Sequence, residues 1–249
     1  MCGRYVSSRS PAELRRLFDV PDPPLEEAAV EPSWNVAPTD DVWAVLERAD
    51  RTTGEIRRQL RALRWGLVPS WAKSPDTGAR MINARMETVA DKPAYRKPFA
   101  KRRCLLPADG FYEWESVEVP GRPKPRKQPY FITPEDGSVM ALAGLYEFWR
   151  DPRAEDDDPA AWLTTCTIIT TEARDAAGRI HPRMPLAIPA DDYEAWLDPA
   201  HANAEELRDL LVTPADGRLV ARPVSPAVNS VRNDGPQLIE EVDPEQEGT

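Results

Sequence analysis

Cys2 is the residue whose chemistry packing explains least. In Met1-Cys2-Gly3-Arg4-Tyr5 the side chain after the initiator Met is small, so methionine aminopeptidase could act there and the mature chain would begin with Cys2. Its thiol and a free α-amine would then stand on adjacent carbons. An internal cysteine is a single nucleophile, whereas an N-terminal one adds an amine of pKa ~7.7–8.0, partly unprotonated at neutral pH.

Five further stretches combine aromatic, Pro and polar residues in ways that packing alone does not require. They are Trp34–Thr39, with Asn35 and Pro38; Trp65–Lys73, with Trp71; Asn83-Ala84-Arg85-Met86-Glu87-Thr88; Gly110-Phe111-Tyr112-Glu113-Trp114; and Ile180-His181-Pro182-Arg183-Met184-Pro185. Each has a plainer reading. Alone, Glu113 is a rim carboxylate or salt-bridge partner, and His181 is a structural loop residue. Asn35 and Asn83 make turn or cap hydrogen bonds, the tryptophans pack, and Arg4, Arg85 and Arg183 are solvated. His201 keeps its surface reading.

The rest of the composition narrows the class. The chain has 249 residues, 41% of them hydrophobic, and eight Trp, enough for a sizeable core. No apolar run approaches the ~20 residues needed to cross a bilayer, and the start lacks a signal-peptide pattern, so a soluble cytoplasmic protein is expected. Three cysteines, Cys2, Cys104 and Cys166, are odd in number and far apart, which argues against a disulfide framework. With only two His to add, no metal-ligand spacing is present, and neither a metal nor a cofactor is expected. The formal net charge of −10 opposes a nucleic-acid partner, but distribution matters more than the sum. Acid gathers at Glu155–Asp158 and Glu240–Glu247, and base at Arg96–Arg103 and Arg122–Lys127.

The elements that must position these residues are short. Ser10-Pro11-Ala12-Glu13 carries a capping box and opens a helix over Ser10–Phe18. Val20–Pro32 reads as a loop. Strands are predicted at Val42–Glu47, Leu60–Val68, Cys104–Pro107, Phe111–Glu115, Trp162–Thr170 and Leu219–Val224. Pro129–Thr133 and Val139–Tyr146 read as a hairpin about Pro134-Glu135-Asp136-Gly137. Helices are predicted from Asn83 to Ala90, at Ala190–Leu197 and at Ala204–Leu211. Strands outnumber helices without alternating with them, so the class is α+β, in one domain over 1–234 with a loose acidic tail at 235–249.

Taken together and in this order, Cys-Gly-Arg, Asn-Ala-Arg-x-Glu-Thr, Gly-Phe-Tyr-Glu-Trp and His-x-Arg-x-Pro resemble the SRAP (SOS response-associated peptidase) family. Its members include proteins that crosslink to abasic sites in single-stranded DNA. The resemblance implies a single domain of mostly short antiparallel strands in a β-rich, barrel-like core with a few short peripheral helices. It also implies that Cys2, Asn83, Glu113 and His181 are catalytic. The α-amine of Cys2 would form a Schiff base with the sugar aldehyde, and its thiol would close a thiazolidine. Glu113 would relay protons, His181 would assist ring opening, and Asn83 would hold the sugar or the terminus.

Arg4, Arg85 and Arg183 are the candidates for phosphate contacts, since Arg forks match phosphate oxygens, and Asn35 is counted with them on the DNA-binding side. Thr170 matches a family position near the active site and is counted there too, and Pro38, Trp71 and Trp114 would cap bases beside the lesion. The implied partner is single-stranded DNA with abasic sites, bound by a monomer associated with the nucleoid, through a local basic cleft on an acidic surface. Three rivals stand beside this reading: an N-terminal-nucleophile amidotransferase, although no Asn-Gly occurs in the chain; a peptidase acting on its own leader; and a non-covalent single-strand-binding module in which Cys2 is incidental.

Overall fold

Short apolar runs bounded by Pro, Gly and acidic turns favour strands over helices. The computed structural model describes residues 2–21, 30–50, 52–118, 124–155, 157–211 and 219–244. In chain order its strands are β1 (Tyr5–Ser7), β2 (Ser33–Val36), β3 (Asp41–Ala49), β4 (Ile56–Trp65), β5 (Asn83–Arg85), β6 (Arg103–Ala108), β7 (Gly110–Val117), β8 (Arg126–Pro134), β9 (Met140–Arg150), β10 (Trp162–Glu172), β11 (Arg183–Pro185) and β12 (Leu219–Pro223). The first sheet runs β12-β8-β7-β1-β2. In the second, β10 pairs with β4 at Thr165–Cys166 and with β9 along Trp162–Ile168, so β10-β4-β3-β6-β9 closes on itself as a barrel. Closure leaves these strands without free edges. The protein is a single α+β domain built on this core.

The pleat divides the side chains. Along β3, Trp43 and Val45 face one apolar cluster while Val42, Ala44 and Leu46 face another. Helices α1 (Pro11–Leu17), α2 (Arg96–Lys101), α3 (Asp175–Ile180), α4 (Tyr193–Leu197) and α5 (Ala204–Asp209) are short. Leu14, Phe99, Trp196 and Leu207, from four of them, fill the first cluster. In α1 the capping box forms as its sequence dictates: Ser10 Oγ accepts from the Glu13 amide at 3.3 Å and the Glu13 carboxylate accepts from the Ser10 amide at 2.9 Å. Buried Arg103 ties α2 and α4 to the barrel, donating to the carbonyls of Phe99, Trp196, Asp198 and His201. Those acceptors offset the cost of its burial, which still pulls the guanidinium pKa down to about 10.

Beyond Ile168, β10 runs out of the barrel and acquires new neighbours. β5 lies parallel along Ile168–Thr170, and β11 lies antiparallel opposite Thr170–Glu172. This three-stranded extension carries much of the chemistry-bearing sequence.

Several local expectations change. Asn83–Ala90 does not open a helix. Asn83–Arg85 pairs with β10, and only Met86–Thr88 winds into a 3-10 turn, because the exposed edge of β10 overrides local propensity. The hairpin predicted around Gly137 separates: β8 pairs with β7 and β12, whereas β9 pairs with β6 and β10. Met140–Glu147 is buried on both faces, which a two-stranded hairpin cannot provide. The segment after 234 packs as far as Pro244: Leu238 is buried, Val242 donates its amide to the Pro223 carbonyl at 2.9 Å, and Arg126 donates to Pro244 at 3.0 Å. Met1, most of the loop expected over Val20–Pro32 and the end of the acidic tail lie outside the described residues.

Candidate active site

Cys2 enters the core just ahead of β1. That strand is held on both sides, Tyr5 lying opposite Val36 of β2 and Phe111 of β7, and the Arg4 carbonyl accepts the Tyr112 amide at 3.0 Å. Cys2 is fully buried and its thiol donates to the Arg4 carbonyl at 3.7 Å. Strand alternation explains why Glu113 sits between two aromatics. Phe111 faces the cluster that holds Cys2, and Glu113 is its neighbour on the same face of the pleat; Tyr112 and Trp114 face an outer cluster.

The Glu113 carboxylate is buried in this environment, with Oε1 3.9 Å from Nδ1 of His181. Burial pushes the Cys2 thiol pKa well above its ordinary value, and the negative charge of Glu113 raises it further. The thiol is therefore kept protonated beside a carboxylate. Asn83, on β5, donates Nδ2 to the Cys2 carbonyl at 2.7 Å, so the outer extension reaches back to the start of β1. The Asn83 Oδ1 is buried with no partner among the described residues.

His181 caps α3, its amide donating to the Ala177 carbonyl at 3.0 Å. The Arg183 amide donates to Nδ1 of the ring at 3.0 Å. Nδ1 also lies 3.1 Å from the Arg183 carbonyl oxygen, so the Arg183 backbone holds the ring from both its amide and its carbonyl. Cys2, Asn83, Glu113 and His181, separated by up to 179 positions in the chain, thus form one connected group.

The other sequence candidates divide into two sets. Arg85 is exposed and stands opposite Thr170 across the β5–β10 pairing. Arg183 lies on the far side of β10, donating to the Thr170 carbonyl at 2.5 Å and forking onto Glu87 at 2.5 and 3.1 Å. Thr170 is buried, and its hydroxyl meets the Ala84 carbonyl at 3.4 Å.

The second set surrounds the loop after β12. Arg4 donates to Asn35 Oδ1 at 2.7 Å and to the carbonyl of Val228 at 2.8 Å, and Asn35 donates to the carbonyls of Ser230 and Asn233 at 3.0 and 2.8 Å. Trp114 Nε1 donates to Asn229 Oδ1 at 2.7 Å. Arg4, Asn35 and Trp114 are thus engaged in strapping residues 226–233 to the first sheet. Pro38 occupies a half-buried turn, where Thr39 donates its amide to Trp65 and Ala37 donates its amide to Asp40. Trp71 is 68% exposed. Its neighbours are pinned, Ala72 by Trp149 Nε1 at 2.7 Å and the Val68 amide by Thr165 Oγ1 at 2.9 Å. The ring is therefore projected from a fixed base.

Sequence reasoning passed over Glu87, Tyr95 and Asn229. Tyr95 donates its hydroxyl to the Asn83 carbonyl at 3.4 Å. Glu87 lay inside a quoted motif, and its pairing with Arg183 was invisible because 96 positions separate them. A cavity of about 600 Å³ opens elsewhere, walled by Val139, Met140, Met184, Ile188 and Tyr193, and none of the four central residues lines it. Among the described residues there is no cluster of three or more His, Cys, Asp or Glu able to hold a metal ion, and no helix long and apolar enough to cross a membrane.

Comparison with known proteins agrees with the motif pattern. The Bacillus subtilis abasic site processing protein YoqW is 37% identical over 240 residues, spanning 96% of this chain and 99% of that protein. The Gallus gallus abasic site processing protein HMCES is 34% identical over 272 residues, spanning 96% of this chain and 77% of the relative. A crystal structure of a Bordetella bronchiseptica protein superposes with a TM-score of 0.66 at 27% identity, covering 90% of this chain and all of that one. A Bacteroides thetaiotaomicron protein shares the fold with a TM-score of 0.75 at 24% identity, over 97% of this chain and all of that one. The family model for SOS response associated peptidase (SRAP) matches residues 1–231, and the chain belongs to that family.

Proposed function

We propose that this protein processes abasic sites in single-stranded DNA by capturing them covalently through Cys2. The observation that carries this reading is the Glu113 carboxylate, buried at the end of the core that holds the buried Cys2 thiol, and 3.9 Å from His181. The naming of relatives as abasic site processing proteins supports it.

The chemistry requires cleavage of the Met1–Cys2 bond, which frees the α-amine. A ring-opened abasic deoxyribose presents an aldehyde. The amine adds to that carbon, and loss of water gives an imine. The thiol then adds to the same carbon, forming C–S while its proton passes to nitrogen, with Glu113 as the carrier. The product is a five-membered thiazolidine. Because thiol and amine share one residue, the second step is intramolecular and gains the corresponding effective concentration. Removing the imine also removes the route to β-elimination, so the strand is shielded from cleavage. His181 can donate a ring proton to the sugar oxygen as the hemiacetal opens. Asn83 fixes the Cys2 carbonyl and so the direction in which the amine points.

The test is a denaturing gel of the Met1-processed protein with single-stranded DNA containing one abasic site. A shifted band that persists without borohydride, and is lost in Cys2→Ala, is expected. An undiminished band in Cys2→Ala, or none with wild type, overturns the reading. Retained native-gel binding without a covalent band would leave a non-covalent binding module in its place.

A further inference from the structure

We infer that Glu87 is a positioning residue that locks Arg183, and through its backbone the His181 ring, against the Asn83 strand. This rests on the proposed role of His181 in abasic-site capture. Asn83 and Arg85 ride on β5, His181 lies two residues before β11, and β10 lies between the two strands with Thr170 paired to Arg85 on one side and Pro185 on the other. Glu87 follows β5 in the 3-10 turn Met86–Thr88 and reaches across the end of β10 to Arg183. Both carboxylate oxygens are used: Oε1 accepts from Nη1 at 2.5 Å and Oε2 from Nη2 at 3.1 Å. The same Nη2 donates to the Thr170 carbonyl at 2.5 Å. A bidentate fork fixes orientation as well as distance.

The consequence reaches His181 through two hydrogen bonds of the turn backbone. The Arg183 amide donates to Nδ1 of the ring at 3.0 Å, and the Pro182 carbonyl accepts the Ala173 amide at 2.9 Å, so the turn His181-Pro182-Arg183 hangs from the strand edge. If Arg183 shifts, the amide and the carbonyl that hold the His181 ring shift with it. The fork also decides what Arg183 offers to DNA. Its two terminal nitrogens are held by Glu87 and Thr170, and its Nε is buried with no partner among the described residues. Arg183 therefore orders the site first, and a phosphate reaches it only by sharing the guanidinium with Glu87.

Two readouts on Glu87→Gln and Glu87→Ala test this. The first is the pair of ring ¹⁵N shifts of His181, read from two-bond ¹H–¹⁵N correlations in the free protein. Wild type is expected to show the fixed pair of shifts of a held ring, and both variants to move toward the averaged shifts of a mobile one. The second is the crosslinking rate at saturating abasic single-stranded DNA, set beside the affinity for the same strand with a tetrahydrofuran analogue, which has no aldehyde. The rate is expected to fall about tenfold while analogue binding does not weaken, and Glu87→Asp should recover part of the rate.

Unchanged ring shifts, or an unchanged rate with weakened analogue binding, would overturn the positioning role. A wild type that forms no crosslink defeats the functional reading instead, and the ring shifts still decide the role of Glu87. Glu87 is 47% exposed at its side chain, so Glu87→Gln can be checked for folding by its melting curve before either measurement.

Discussion

Asn83 Nδ2 donates to the Cys2 carbonyl at 2.7 Å, across 81 positions of chain. The bond joins the strand extension outside the barrel to the segment that enters its core. Without it the Cys2 peptide would have no side-chain anchor from β5, and the direction of the proposed nucleophile would be set only by β1. Asn83→Ala removes one neutral hydrogen bond, worth roughly 1 kcal/mol. The expected result is a crosslinking rate about five- to tenfold lower, with a melting temperature lowered by only about 2–4 °C. Single-turnover gel kinetics against a thermal melt checks this; a large loss of stability would mean that Asn83 serves the fold.

Thiol chemistry gives a second expectation. Cys2, Cys104 and Cys166 are all buried, and burial raises the thiol pKa at each, with Glu113 adding to the effect at Cys2. In the unfolded chain a thiol ionises near ~8.5. Above that pH the unfolded state binds fewer protons than the native one, so stability falls as pH rises, by up to about 1.4 kcal/mol per pH unit for each thiol that stays protonated. Native protein should react with iodoacetamide far more slowly than denatured protein between pH 8 and 9, and chemical denaturation should show lower stability at pH 9.5 than at pH 7. Rapid alkylation of Cys2 in the native state would show that its thiol is neither buried nor held protonated.

How much of this was legible in the sequence follows from the range of each interaction. The capping box of α1 lies within four residues and forms as read. The strand at Val42–Glu47 shows as a short continuous apolar run, and β3 runs through it. The helix expected at Asn83 and the hairpin about Gly137 were decided by strands far away in the chain, β10 for the first and β6 with β10 for the second. The central residues were visible by type and motif, but their grouping was not. That Glu113 faces Cys2 depends on the β1–β7 register, and that Arg183 belongs to Glu87 depends on both flanking one strand.

The strap made by Arg4 and Asn35 carries a third prediction. Asn35 is 4% exposed, and its side chain accepts from Arg4 and donates to the carbonyls of Ser230 and Asn233. Asn35→Ala leaves these groups without their partner, a loss of about 1–3 kcal/mol per buried polar group left unsatisfied. A lowered melting temperature is expected, together with faster amide exchange confined to residues 226–233. Uniformly faster exchange would show that Asn35 supports the whole sheet.

Trp65 and Trp71 lie in the same motif stretch and do opposite work. Trp65 is fully buried, donates Nε1 to the Ile82 carbonyl at 2.9 Å and meets Tyr5 edge-on at 5.2 Å between ring centroids. Trp71 is 68% exposed on a loop whose neighbours are pinned by Trp149 and Thr165. A large ring held in water by a fixed base gains little for the fold, whereas base stacking on such a ring is worth about 1–3 kcal/mol. Trp65→Ala should therefore cost about 3–5 kcal/mol of stability. Trp71→Ala should change stability by less than about 0.5 kcal/mol while weakening single-stranded DNA binding roughly tenfold or more. Fluorescence anisotropy with an unreactive strand, run beside denaturation curves, separates the two. Equal loss of stability in both variants would mean that the exposed ring is part of the scaffold.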